Sequence, residues 1–229
     1  MNRKNKNLIS LGFIILIAVI GINNFWPKNQ ALVPINNTPA VDSIEFEKPN
    51  VTPIKECPKP AAAPEPAQLI PPIYHLQYPE AKSSDIVEVG GGERLHRDAA
   101  NAFKQMQNAA LKDGVSLTVI SGFRSISDQK SIVSRKIADG YSSKKIYSVS
   151  SAPGYSEHHT GYALDINSLE TSFGDTKAGQ WLRANALSFG FEMSFDRGNF
   201  QNISYEPWHF RFIGTPEAKK MFCYASSKK

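Results

Sequence analysis

The stretch Pro58–Pro72, PKPAAAPEPAQLIPP, sets the hardest limit on how this chain can fold. Proline fixes its own φ and lacks a backbone N–H, so such a segment cannot lie inside a helix or a sheet. It reads as a semi-extended tether of polyproline character. The loop-like composition begins at Pro27, and the 229 residues therefore divide into three expected parts: residues 1–26, a linker over 27–72, and one domain over 73–229. A domain of that length is ordinary.

The front part reads MNRKNKNLISLGFIILIAVIGINNFWPK. Arg3, Lys4 and Lys6 precede an apolar run from Leu8 to Ile22, the layout of a secretory signal or an N-terminal anchor. The run falls short of the roughly 20 residues of a full span. It extends through Asn23 and Asn24 to Phe25 and Trp26, aromatic residues suited to the far membrane interface. No clear small-x-small cleavage site follows, which favours an uncleaved membrane anchor. The positive charges stay inside, so the expected place of the domain is outside the cytoplasm, in the periplasm or beyond the cell. A proline-rich tether behind an anchor gives that domain reach from the bilayer.

The formal net charge is +5, and much of the excess sits at the two ends. No basic stripe runs through the body, so nucleic acid is not indicated as a partner. The two cysteines, Cys57 and Cys223, form no C-x-x-C pair, which excludes a thiolate zinc knuckle and a thioredoxin-type motif. In an exported protein they can pair and tie the linker to the C-terminal segment. Two free thiols are the alternative.

Within the domain, Leu95, Ala99, Phe103, Met106 and Ala110 recur at helical spacing, with Gly114 as a stop. SLTVISG reads as a short strand. A second helix follows over SISDQKSIVSRKIADG, with Ser125 or Ser127 as its cap and Asp128 in its first turn. YSSKKIYSVSSAPG is expected as a loop, GYALDIN as a strand, and TKAGQWLRANALSFG as a third helix. FEMSF and YEPWHFRFI read as strands separated by a polar turn, and TPEAKKMFCYA as a closing helix. Helices and short strands mix without a βαβ rhythm, so the expected fold class is α+β on a small, mostly antiparallel sheet.

Side chains alternate faces along a strand. Tyr162, Leu164 and Ile166 thus point to a core, while Gly161, Ala163 and Asp165 point the other way. Two minimal side chains there are expected to leave space, with Asp165 at its floor and His158 in the loop just before it. In YEPWHFRFI, Trp208, Phe210 and Phe212 share the core face, and His209 and Arg211 the opposite one. Glu206 stands three residues before His209, an odd spacing that sends it to the wrong face of a regular strand. Pro207 favours a break that swings it back. Two imidazoles and a carboxylate suit a catalytic Zn²⁺ site, which keeps three protein ligands and an open position. Glu206 then suits a general base. Taken singly, each of these residues has an ordinary structural explanation. Of the other histidines, His96 is expected solvated in the first helix, His75 sits near the linker without companions, and His159 is expected to be exposed, with lining the pocket as the alternative.

Ser156-x-His158-x-x-Gly161-x-Ala163-x-Asp165, then Glu206-x-x-His209, preceded by SGFRS (Ser121 to Ser125) and Gln129, resembles the VanY-type D-alanyl-D-alanine carboxypeptidases. These belong with the zinc peptidases of the lysostaphin and Hedgehog group. The resemblance runs from about Leu95 to Gly214, and Phe123 stands where tyrosine is commoner. It implies one zinc ion held by His158, Asp165 and His209, with Glu206 as the base. It implies a hydrolase of the cell wall that removes the terminal D-alanine of peptidoglycan stem peptides. It places Arg124 as the fork for the substrate's terminal carboxylate or its scissile carbonyl, geometry that suits arginine. Ser121, Ser125, Gln129 and Ser156 are weaker candidates for substrate contacts. An L,D-carboxypeptidase acting on tetrapeptides, and a zinc-holding module without turnover, are the alternatives.

Overall fold

The computed structural model describes Cys57 and residues 75–226. The expected anchor over 1–26 and nearly all of the linker lie outside the described residues. Among the described residues, no helix is long and apolar enough to cross a membrane.

Among the described residues, two small antiparallel sheets and five α-helices make up the domain. The first sheet is a hairpin of β1 (Ile86–Gly90) and β2 (Glu93–His96). The second has four strands in the order β3-β4-β6-β5: β3 Val119–Ser121, β4 Ala163–Ile166, β6 His209–Phe212 and β5 Phe191–Met193. All its pairings are antiparallel, so the α+β expectation agrees with the structure. The helices are α1 (Arg97–Lys112), α2 (Ile126–Ala138), α3 (Ser143–Val149), α4 (Lys177–Asn185) and α5 (Pro216–Ser226).

The periodic residues of the first helical segment all become core. Leu95, Ala99, Phe103, Met106 and Ala110 are buried together with Leu164, Ile166, Phe210 and Phe212 of the sheet. Leu182 of α4 and Ala218 and Phe222 of α5 complete the cluster. Burying a large apolar side chain stabilises by roughly 1.5–3 kcal/mol, so this face supplies the main driving force.

Local chemistry explains where the elements begin. Ser125 caps α2 by accepting from Asp128 N–H at 3.0 Å, while the Asp128 carboxylate accepts from Ser125 N–H at 3.2 Å. This reciprocal capping box satisfies two donors the helix leaves open.

Two expectations need correction. His96 is not solvated within a helix: it ends β2 and caps α1, its Nδ1 accepting from Asp98 N–H at 3.3 Å. The segment expected as a loop contains α3, because Ser142 caps it through Lys145 N–H and Ile146 supplies a buried anchor. The β1–β2 hairpin was not among the expected elements. Gly90, Gly91 and Gly92 all have positive φ, and they turn the chain between the two strands.

Cys57 and Cys223 form a disulfide, with Cα atoms 5.3 Å apart. The bond ties the linker residue to α5, the pairing expected of an exported chain.

Candidate active site

The site lies where one end of the four-stranded sheet meets the turn before β4. That turn, Glu157–Thr160, is a 3-10 segment capped by Ser156, whose Oγ accepts from His158 N–H at 3.3 Å. It ends at Gly161, whose φ of 69° lies in the left-handed region. A Cβ there would come within 2.5 Å of Ile86 and 2.9 Å of the His96 nitrogen. The glycine therefore serves a tight turn packed against the hairpin. The expectation that it opens space above the sheet is corrected. Ala163 stands opposite Arg211 in register, and that long buried side chain, with Glu157, occupies the face expected to be open.

Asp165 of β4 pairs in register with His209 of β6, which puts both side chains on one face. His209 Nδ1 lies 2.9 Å from Asp165 Oδ1, and His158 Nε2 lies 3.4 Å from Asp165 Oδ2. One ligand atom from each of the three residues falls within 4.8 Å of the other two, so one cation can meet all three. All three are buried.

The remaining ring nitrogens are committed elsewhere. His158 Nδ1 donates to the Gly122 carbonyl at 2.7 Å, and His209 Nε2 to Glu157 Oε2 at 3.0 Å. Each ring then turns its other nitrogen toward Asp165, the arrangement in which an outer partner orients a metal-binding histidine. Gly122 is a glycine for reasons of space, since a Cβ there would sit 2.2 Å from the Arg94 carbonyl oxygen. Its carbonyl is thereby held against β2 and aimed at His158.

Glu157 escaped the sequence reading. It is buried, accepts from Arg211 Nη1 at 2.7 Å and from Ser194 Oγ at 2.5 Å, and holds His209. Arg211 in turn donates from Nε to Glu192 at 2.8 Å. The available signal was an acid immediately before two histidines in an otherwise uncharged stretch.

Electrostatics favour a cation on this floor. Burial alone would depress His209, yet its hydrogen bonds to Asp165 and Glu157 outweigh it and push the ring up to about 10. Burial would raise the Asp165 carboxyl, but the charge and hydrogen bond of His158, joined by His209, hold it well below the ordinary carboxylate range. The donor set of two imidazoles and one carboxylate fits a divalent metal such as zinc.

Glu206 reaches the site through the break expected at Pro207. His209 N–H donates to the Glu206 carbonyl at 3.1 Å, closing a turn that brings Glu206 Oε2 to 3.9 Å from His209 Nδ1. Burial, reinforced by the negative charges of Asp165 and Glu157, pushes the Glu206 carboxyl up to about 7. A carboxyl poised there suits a proton carrier near neutrality.

Arg124 lines the same cavity, of about 550 Å³, together with Ser156, His158, Asp165, Glu206 and His209. Nη1 donates to Gln129 Oε1 at 2.9 Å and Nη2 to Ser121 Oγ at 2.7 Å. Ser121 and Gln129 thus grip the guanidinium from behind. Ser125 is engaged at the start of α2. His159, expected to be exposed, is fully buried. Its Nε2 accepts from Gly154 N–H, so Nδ1 carries the hydrogen and donates to the Arg124 carbonyl at 2.7 Å. It fixes the backbone that carries the arginine.

The family model for VanY, D-alanyl-D-alanine carboxypeptidase, matches residues 92–215. The chain belongs to the VanY family. A D-alanyl-D-alanine carboxypeptidase of Enterococcus faecium is 31% identical over 168 residues, covering 65% of this chain and 52% of the relative. Among solved structures, the LdcB LD-carboxypeptidase superposes with a TM-score of 0.54 at 30% identity, covering 64% of this chain and 79% of that one. The D,D-pentapeptidase VanY from a VanB-type resistance cassette, solved as a point variant in complex with Zn(II), gives 0.51 at 29% identity over 66% of this chain and 92% of that one. The chain spans about half the length of the curated relatives it matches. The fold of this VanY-family domain is thus that of known zinc peptidases.

Proposed function

We propose that this chain is a zinc-dependent carboxypeptidase that removes the C-terminal D-alanine from peptidoglycan stem peptides. The observation that carries the reading is the convergence of His158, Asp165 and His209 beside Glu206 and Arg124 in one cavity. The Enterococcus faecium relative and the Zn(II)-bound VanY support the substrate class and the metal.

When bound, zinc supplies Lewis acidity toward a carbonyl oxygen and a water. The protein's own groups do the rest. Glu206, held 3.9 Å from His209, takes the proton of the attacking water and returns it to the leaving amine. Arg124, fixed by Ser121 and Gln129, presents its guanidinium to the terminal carboxylate of the peptide. Ser156 shapes the turn that carries His158. The Gly122 carbonyl and Glu157 hold the His158 and His209 imidazoles so that their other nitrogens face Asp165.

Residues 1–26 as a membrane anchor and 27–72 as a tether complete the proposal. They would place the domain outside the cytoplasm, near its polymeric substrate.

The deciding experiment incubates the full chain with defined muropeptides, with zinc and with chelator, and follows mass. Loss of one alanine from pentapeptides, abolished by chelator, is the expected result. Loss from tetrapeptides alone would move the reading to an L,D-carboxypeptidase, the activity named for the LdcB structure. Bound zinc with no product from either would leave a non-catalytic module.

A further inference from the structure

Two of the groups that hold Glu157 rest on α5. Phe222 is fully buried, and its ring lies 5.5 Å from the Tyr78 ring, centroid to centroid. The guanidinium carbon of Arg211 stands 5.4 Å from the centre of the same ring. Tyr78 and Arg211 both reach Glu157 Oε1, the hydroxyl donating at 3.4 Å and Nη1 at 2.7 Å. Glu157 Oε2 then accepts from His209 Nε2 at 3.0 Å. One side chain of α5 thus packs against both donors that position the acid behind a metal ligand.

Among the described residues, α5 is the last element. Residues 213–215 join it to β6 at one end. Near the other end, Cys223 follows Phe222 directly, is buried, and is bonded to Cys57, 166 positions away. Terminal segments stay ordered where something ties them down. The disulfide is therefore the covalent tie that keeps Phe222 under Tyr78 and Arg211. Partners behind a metal-binding histidine tune metal affinity about 10–100-fold, so a tie on those partners acts on the metal.

We propose that the Cys57–Cys223 disulfide is a redox switch on the metal site. With the bond closed, α5 holds Tyr78 and Arg211 against Glu157, and zinc binds tightly. With it open, that support loosens and zinc affinity falls. Closing the bond joins two thiols and releases two protons and two electrons, all taken up by a disulfide oxidant as it becomes two thiols. Such oxidants prevail outside the cytoplasm, where an exported chain completes its fold. The inference rests on the zinc-peptidase reading of the site and adds the condition under which the site is complete.

The test measures zinc affinity of the full chain by competition with a chromophoric chelator. The chain is taken oxidised, then reduced with a phosphine, then reoxidised with glutathione disulfide. Reduction is expected to weaken zinc binding about tenfold, the lower end of what an outer partner contributes, and reoxidation to restore it. Cys57→Ser combined with Cys223→Ser leaves no thiol to bind zinc and should match the reduced chain. Phe222→Leu, which keeps the disulfide, should also weaken zinc binding. Circular dichroism of each form separates loss of fold from loss of affinity. Should the reduced chain and the double serine variant fail to fold, Phe222→Leu decides alone. Equal affinity of the oxidised and reduced chains, or an affinity that Phe222→Leu leaves unchanged, overturns the switch. Hydrolysis of stem peptides with zinc affinity indifferent to reduction removes the switch and leaves the proposed function standing. Redox-dependent zinc binding without hydrolysis does the reverse, and no zinc binding in either state sinks both.

Discussion

On one face of β4 and β6, Leu164, Ile166, Phe210 and Phe212 pack into the apolar core with residues of α1, α4 and α5. On the opposite face of the same strands, Asp165, His209 and Arg211 are buried as thoroughly. The first face is buried because apolar area leaves water, which needs no particular geometry. The second is buried only because every charge meets an opposite one: Arg211 meets Glu157 and Glu192, and His209 meets Asp165 and Glu157. Buried ion pairs seldom add net stability, and losing one partner is expensive. The core face therefore sustains the fold, while the polar face relies on that stability to keep a metal site in register.

The largest expected effect breaks the polar face alone. Glu206→Gln should lower turnover by about 10²–10⁴-fold, the usual worth of a positioned general base. Zinc content should be unchanged by metal analysis. Turnover near the native rate would remove Glu206 from its role.

Phe210→Ala should break the other face, destabilising the domain by about 3–5 kcal/mol in denaturant melts. A much smaller loss would show that the two faces are not divided as described.

Glu157→Gln probes their coupling. It removes the carboxylate that holds His209 and faces Arg211, and zinc affinity in a competition titration should fall about 10–100-fold. Because Arg211 holds the Glu157 carboxyl well below the ordinary range, the native pair stabilises the fold above pH 4.5 and loses that contribution as pH falls further. The variant should lack that acid-side loss.

The sign is opposite for Glu206. Its carboxyl is pushed up to about 7 from an ordinary 4.5, so the folded chain binds this proton more tightly than the unfolded one. That stabilisation is complete below pH 4.5 and is lost as pH rises through 7. Thermal melts of chelated protein from pH 5 to 8 should fall more steeply for the native chain than for Glu206→Gln. Parallel curves would contradict the burial of this carboxyl.

Ser125→Ala should have the smallest effect, about 1 kcal/mol of stability from the lost cap with KM unchanged. A raised KM would return Ser125 to the substrate.

Several of these features were legible before any coordinates. The apolar periodicity of α1, the Ser125 and Asp128 cap, the alternation in β4 and β6, and the spacing of Glu206, Pro207 and His209 are local patterns written in neighbouring residues. Glu157 was not legible, because its partners His209 and Arg211 lie 52 and 54 positions away. Nor was His75, which looked solitary beside the linker and lies buried against Tyr147, 72 positions on. His159 was misread as exposed, since its partners are backbone atoms, one of them the carbonyl of Arg124, 35 positions away.

What the amino-acid sequence determined by itself is the list of chemical groups and the side of each strand or helix on which they stand, because side-chain direction follows from the local repeat of the backbone. What only the tertiary structure decided is which nitrogen of each imidazole is free, how far Glu206 is pushed from its ordinary acidity, and which small residue makes room for what. Those properties depend on burial and on partners brought together from far along the chain, and no local repeat encodes them.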